Sequence, residues 1–256
     1  MIKKTLTFTI LILLLITIIP LNVQADEFQL PDLRLEINNQ TDGDDQGEDL
    51  VLSLRILLLL TVLSLAPAIL VMVTSFTRII IVLSLIRTAL ATRQMPPNQV
   101  LIGLAIFITV FIMAPVWQQV NTDAIQPYID QEITTETMYQ RGINPIRDFM
   151  FKQTREKDLA LFVDMASIER PNNQQDVPTY VLIPAFVISE LKTAFQIGFM
   201  IYIPFLMIDM IVASTLMSMG MLMLPPVMIS IPFKILLFVL VDGWYLVIES
   251  LINTFN

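Results

Sequence analysis

Apolar residues in this chain gather into long runs rather than into the alternations of a soluble strand or a half-buried helix. The first run, Leu6 to Leu21, follows Lys3 and Lys4 and precedes "NVQA", with small Val23 and Ala25 spaced as at a signal-peptidase site. This order predicts a cleavable signal peptide over residues 1–25, cut after Ala25, with Asp26 on the outer side of the membrane. Residues 26–49 carry nine acidic residues against the single base Arg34, with no apolar period. They are predicted to be an acidic, solvated, flexible linker.

The next run, Ser53 to Phe76, is long enough to span a bilayer, and Pro67 near its middle predicts a kink. The stretch after it, "TRIIIVLSLIRTALATRQMPPNQ", carries Arg78, Arg87 and Arg93 and no acid. The positive-inside rule places it on the cytoplasmic side. Its Ile79–Ile86 run predicts a segment that is amphipathic or membrane-lying rather than a plain loop, ended by Pro96 and Pro97. A second span, Val100 to Trp117, returns outward, so residues 50–117 read as a first membrane helical hairpin.

Residues 118–180 hold ten acidic and six basic residues and read as a small external, periplasmic helical domain. Within it, "NPIRDFMFKQTREKDLALFVDMAS" is predicted to be helical, with Asn144 as N-cap and Pro145 at the first helical position. Ile146, Phe149 and Met150 share a face, as do Leu159, Phe162 and Met165. So small a unit buries little core, so its apolar faces are expected to pack on neighbouring subunits or partners.

Residues 181–256 read as a second membrane helical hairpin. Prolines 184, 204, 225, 226 and 232 punctuate it, and Glu190, Lys192, Asp209, Lys234, Asp242 and Glu249 are its charges. A charge at the centre of a lipid-facing helix costs roughly 2.5 to 3.5 kcal/mol on the insertion scale. Such residues face other helices or water, and often pair. Two readings stay open: broken helices lining an enclosed path, or a kinked bundle with interhelical ion pairs. Glu190 and Lys192 are two apart and point to different neighbours. For Asp209 and Lys234 two outcomes stand equally open: a pair across the Met–Pro hairpin, within or between subunits, or Lys234 snorkelling toward a water-filled region. These four are read as buried assembly contacts. Arg78 and Arg87 are expected to face an acidic partner surface or lipid headgroups.

Composition sharpens this all-α membrane class. The chain is 55% hydrophobic with a mean hydropathy of +0.71, far more apolar than a soluble domain. The absence of Cys and His excludes disulfides, thiol chemistry, His-ligated metals and imidazole catalysis. No Gly-rich nucleotide motif occurs, and a net charge of −8 argues against a nucleic-acid partner. No catalytic residue, metal or cofactor is therefore expected, and the chain is read as a non-enzyme.

Four ordered blocks carry a resemblance: "SFTRIIIVLSLIRTALATRQMPPNQVLIGLAIFITVFIMAPV", "PIRDFMFKQTREKDLALF", "IPAFVISELKTAFQIGFMIYIPFLMIDMIVAS" and "IPFKILLFVLVDGWYLV". From about residue 50 onward the chain resembles the FliP family of flagellar type III export-gate proteins. The export signal favours the flagellar branch over its homologue in virulence type III secretion. The resemblance implies a bacterial inner-membrane subunit of the flagellar basal body. Five copies would form a helical ring, completed by FliQ and FliR, with FlhA, FlhB and FliO nearby. The ring would enclose the conduit for unfolded flagellar proteins. Two other classes compete. A secondary transporter should show an internal repeat, and none links residues 50–117 with 180–252. A structural scaffold would use its methionines only for packing.

The stretch "MSMGMLMLPPVM", 217–228, contains five methionines. Residues 219–226 match the family's pore loop, with Gly220, Met221, Leu222, Met223, Pro225 and Pro226 as its gasket. Leu222 interrupts what is often an unbroken methionine triplet. Methionine is unbranched and polarizable, repacks easily, and suits a seal that must close when empty yet yield to any passing sequence. A narrow apolar ring also stops ions by dewetting.

Overall fold

The computed structural model describes residues 46–92, 94–168, 171, 173–221 and 223–255, with side chains from Ser53 onward. The signal peptide with its cut after Ala25, most of the acidic linker, Arg93 and Leu222 lie outside the described residues. The chain divides into two units, residues 1–55 and 56–256, and the packed core belongs to the second.

The described residues are helical throughout, with no strand among them. In chain order they form α1 (Gln46–Val73), α2 (Phe76–Ala89), α3 (Asn98–Val120), a π turn (Asn121–Ile125), α4 (Gln126–Ile129), α5 (Thr135–Gln153), α6 (Glu156–Met165), a 3-10 turn (Gln174–Asp176), α7 (Thr179–Ser218), α8 (Pro226–Leu240) and α9 (Gly243–Asn253). Three stretches are long and apolar enough to cross a membrane: Ser53–Val73, Asn98–Ile129 and Thr179–Ser218. α8 and α9, bent by 65° at their junction, make a fourth if they count as one broken span.

α1 starts at Gln46, so the last residues assigned to the linker are helical. Its side chains from Leu57 to Met72 are all exposed, apolar on every side. A helix of this kind needs lipid or a partner around it. Pro67 lies inside the helix without ending it. The helix ends instead at a threonine turn. Thr74 Oγ1 donates to Leu70 O at 2.6 Å and Thr77 Oγ1 to Val71 O at 2.6 Å, which satisfies carbonyls left open by the turn.

α2 is a helix and not a plain loop, and its apolar stripe is covered by protein. Ile79, Val82, Leu83 and Ile86 are wholly buried, and the helix packs most extensively on α7, with α3 on another side. The i, i+3, i+4, i+7 stripe that reads as lipid-facing is the stripe that contacts protein. Hydropathy alone does not distinguish the two surroundings.

The region between the hairpins also departs from its sequence reading. α5 begins at Thr135, and Thr134 is its N-cap, accepting from the Thr137 N–H. Asn144 and Pro145 therefore lie inside the helix. Pro145 is buried, and downstream of it Phe149 and Met150 join a core with Met113, Val163, Leu182 and Phe186. That packing offsets the roughly 3 kcal/mol that an interior proline costs. These faces are thus covered within the chain. Val163 takes the buried place on α6, and Met165 is 70% exposed.

One predicted helix becomes two because Thr154 and Arg155 are extended. There the Arg155 N–H donates to Ser189 Oγ at 3.0 Å, and Ser189 Oγ donates to Asp158 Oδ2 at 2.8 Å. α7 shows the opposite departure. Pro184 and Pro204 lie inside one continuous helix of 40 residues, not at breaks. Around Pro184, the buried Val181, Leu182, Ala185 and Phe186 hold the helix through the missing hydrogen bond.

The break in this half falls at Asp242, in the left-handed region with φ 52°, a conformation that Asp tolerates better than most residues. Next to it, a Cβ on Gly243 would fall 2.3 Å from Phe238 Cδ2. Glycine here lets the Phe238 ring sit edge-on to Trp244, 5.4 Å between centroids. Gly243→Ala is expected to destabilise the protein by about 1–3 kcal/mol, the usual range for overpacking. Gly103→Ala, where a Cβ meets nothing within 4 Å, should be neutral or stabilising by up to about 1 kcal/mol. Thermal unfolding in detergent checks the pair, and equal midpoints for both variants would contradict the packing argument.

Candidate functional site: a methionine loop on buried ion pairs

The turn between α7 and α8 is built by glycine and proline. α7 ends in a Schellman motif: the Gly220 N–H donates to Met217 O and the Met221 N–H to Leu216 O, both at 3.0 Å. The motif needs a left-handed residue after the cap, and Gly220 supplies it with φ 77°. Nothing lies within 4 Å of a Cβ built there, so conformation rather than space calls for glycine. On the far side Pro225 caps α8 in an extended conformation and Pro226 opens it, where its missing N–H costs nothing.

The tip between these ends has almost no support from its own chain. Met223 is 98% exposed, and Met217, Met219 and Met228 are also exposed, while Met221 is half-buried. The thioethers of the four exposed methionines therefore project away from the fold, while Met221 is partly covered.

Below the tip, Asp209 and Lys234 pair across the α7–α8 hairpin, Nζ to Oδ2 at 2.7 Å, within one subunit. Ser230 Oγ donates to the other Asp209 oxygen at 2.5 Å. Lys234 does not snorkel. It is 1% exposed, and its ammonium also donates to Ala89 O at 3.1 Å, at the C-terminal end of α2. That end carries partial negative charge, so the cation is doubly matched.

A second pair sits deeper. Arg78 and Glu190 are 2% and 0% exposed and bind through two N–H···O contacts, Nε to Oε2 at 3.0 Å and Nη2 to Oε1. The guanidinium also donates to Thr254 O at 3.1 Å, Thr254 Oγ1 at 3.0 Å and Gln153 Oε1 at 2.9 Å, and lies 3.9 Å from the centre of the Phe255 ring. Arg78 is therefore not available to a partner or to headgroups. It ties α2 to α5, α7 and the residues after α9. Arg87 is half-buried and donates to Pro96 O at 3.3 Å and Asn98 Oδ1 at 2.5 Å, holding the α2–α3 connection. Lys192 is exposed on α7, with no hydrogen bond or ion pair among the described residues.

Ser189, Ser230, Gln153 and Thr254 escaped the sequence reading, because hydroxyls and amides carry no signal until a charge is seen beside them, and Asp158 escaped it as one acid among many in a polar segment. The available signal was the charges themselves: a carboxylate and a guanidinium in apolar runs each call for a counter-ion.

Fold and site together define a helical membrane protein whose last hairpin carries an exposed methionine loop above the Asp209–Lys234 ion pair. Residues 59–251 match the model of the FliP family. The flagellar biosynthetic protein FliP of Bacillus subtilis (strain 168) is 61% identical over 208 residues, 81% of this chain and 94% of that protein. Its counterpart from Pectobacterium carotovorum subsp. carotovorum is 56% identical over 209 residues, 82% and 81% of the two chains. That of Aquifex aeolicus (strain VF5) is 48% identical over 231 residues, 89% and 93%. The chain belongs to the FliP family.

The two pairs differ in what a deletion exposes. Asp209→Ala leaves the buried Lys234 charge uncompensated, a loss of about 3–5 kcal/mol. Lys234→Met leaves Asp209, which is 21% exposed and still bonded to Ser230, and should cost less. Replacing Arg78 and Glu190 together by Met and Leu should be milder than Glu190→Ala alone. Unfolding midpoints rank the variants. A double variant as damaged as the single would mean that the neutral bonds of Arg78, not its ion pair, hold the helices.

Proposed function

We propose that the chain is a wall-forming, non-enzymatic subunit of the flagellar type III export gate, in the inner membrane at the flagellar basal body. Copies of the chain, five in the ring implied by the family, surround a conduit for unfolded flagellar proteins. FliQ and FliR complete that ring, and FlhA, FlhB and FliO lie nearby. The loop 219–226 contributes the seal.

The observation that carries this reading is the loop itself. Its methionines project from the fold and Met223 is 98% exposed, while the hairpin below is fixed by Asp209, Ser230 and Lys234. A seal for unfolded chains needs that combination. The base must hold its place while polypeptide moves past, and the tip must repack around each side chain that arrives. Methionine, with three rotatable bonds, suits the tip. Several such tips meeting on an axis would make a dry constriction that ions do not cross. Names of the relatives support the flagellar assignment over the virulence homologue.

The test is ion leakage across the membrane of cells producing the protein with its partners, comparing wild type with the Met221→Ser, Met223→Ser double variant. Assembly is followed on a native gel. Leakage with intact assembly is expected. No leakage with intact assembly would reduce the loop to ordinary packing and move the seal elsewhere.

A further inference from the structure

Among the described residues, ion pairs join Arg78 to Glu190 and Lys234 to Asp209. Two other cations lie at the apolar helix α7, and neither is in an ion pair among the described residues. Lys192 is exposed there, and Arg155 reaches α7 from the α5–α6 break. Its Nη2 donates to Gln196 Oε1 at 2.5 Å and to Thr193 Oγ1 at 3.3 Å, both neutral acceptors. Lys192 and Gln196 are four apart and so neighbours on the helix surface, and Gln196 holds the Arg155 guanidinium, so the two cations share one patch.

That patch adjoins an open groove of about 1060 Å³, whose lining includes Lys192 and Gln196. The rest is almost all hydrocarbon, from Ile188, Leu191, Phe195 and Phe199 of α7 and Leu85 of α2. Gly198 makes the floor. A Cβ there would fall 2.2 Å from Leu85 Cδ1 and 3.2 Å from its Cβ, so glycine lets α2 close against α7 beneath the groove. A basic patch, a wide apolar wall and a helix apolar enough to span a membrane occur together.

We propose that this groove holds an anionic phospholipid, its acyl chains on the apolar wall and its phosphate against Lys192 and Arg155. The volume is at or above the upper end of small-molecule sites, about 300–1,000 Å³, which suits long chains. The phosphate supplies a counter-charge that these cations do not have among the described residues, and basic pockets between membrane helices recognise headgroups in this way. The acidic residue that a protein partner would need is not required, because anionic lipid is already present wherever the helix meets the bilayer. The proposal rests on placement in a membrane and not on the export reading.

The full chain, purified in neutral detergent, is given phosphatidylglycerol or phosphatidylcholine with identical acyl chains. Native mass spectrometry counts retained lipid and light scattering follows the oligomer. Wild type should retain phosphatidylglycerol in preference to phosphatidylcholine. Lys192→Gln should cut that preference about fivefold, the weight of one basic residue at a headgroup. Lys192→Arg should keep it, and Lys152→Gln, an exposed cation on α5, should leave it unchanged. Equal retention of the two lipids by wild type, or a preference that survives Lys192→Gln, overturns the proposal. Loss of the oligomer in Lys192→Gln without any lipid preference also overturns it, and assigns the groove to a second copy of the chain.

Discussion

A charged guanidinium buried among apolar helices sets the terms for the rest of this fold. Arg78 has no route to water, at 2% exposure, so every donor it carries must be met by the protein. Glu190 meets two contacts, and Gln153 and Thr254 meet others, with the Phe255 ring stacked against the cation. These partners come from three separate parts of the chain, none of them α2. Arg78 is therefore satisfied only when α2, α5, α7 and the segment after α9 are all docked. An apolar interface between the same helices could slide along its length at little cost. An arginine with directional partners fixes register and depth together.

The same division between fixed and adaptable chemistry runs through the last hairpin. Its base uses short bonds between ionised groups. Lys234 joins Asp209 and the C-terminal end of α2, so the hairpin is anchored to the helix that Arg78 also anchors. Its tip uses thioethers, a Schellman turn and two prolines, with no ion pair among its described side chains. The prolines matter mechanically: they stop strain at the tip from unwinding α8, because the first turn of that helix starts at a residue of fixed φ. Motion in the methionines is thereby kept out of the ion-paired base.

Much of this was legible in the sequence. The blocks between residues 75 and 247 identify the FliP family, and run lengths announce helices and membrane. The burial of Glu190 and Lys234 follows from the cost of charge in apolar surroundings. What could not be read was set by tertiary contacts. Pro145, Pro184 and Pro204 look like helix ends and are not, because buried neighbours hold the chain helical through them. Thr154 looks like helix interior and is a break, because Ser189, 35 residues away in sequence, accepts the Arg155 N–H there. Arg78 looks like a positive-inside marker and is a core residue. The rule counts charges flanking a span and does not know that Glu190, 112 residues on, is its neighbour.

Length gives the final constraint. At about 1.5 Å per residue, the 40 residues of α7 extend about 60 Å, against a hydrocarbon core of about 30 Å. A tilt of about 40°, the upper end of what membrane helices adopt, still leaves about 46 Å along the normal. Part of α7 must therefore lie outside the hydrocarbon although its composition is apolar almost throughout. The exposed Phe195, Phe199, Met207, Met210 and Ile211 cannot all face lipid. The surface left outside the bilayer is too apolar to face water and needs protein around it. α1 poses the opposite case: Ser53–Val73 extends about 32 Å, matches one bilayer, and is exposed on every side. One helix is as long as a bilayer is thick and another is twice that, so the two cannot both be matched to the same hydrocarbon layer.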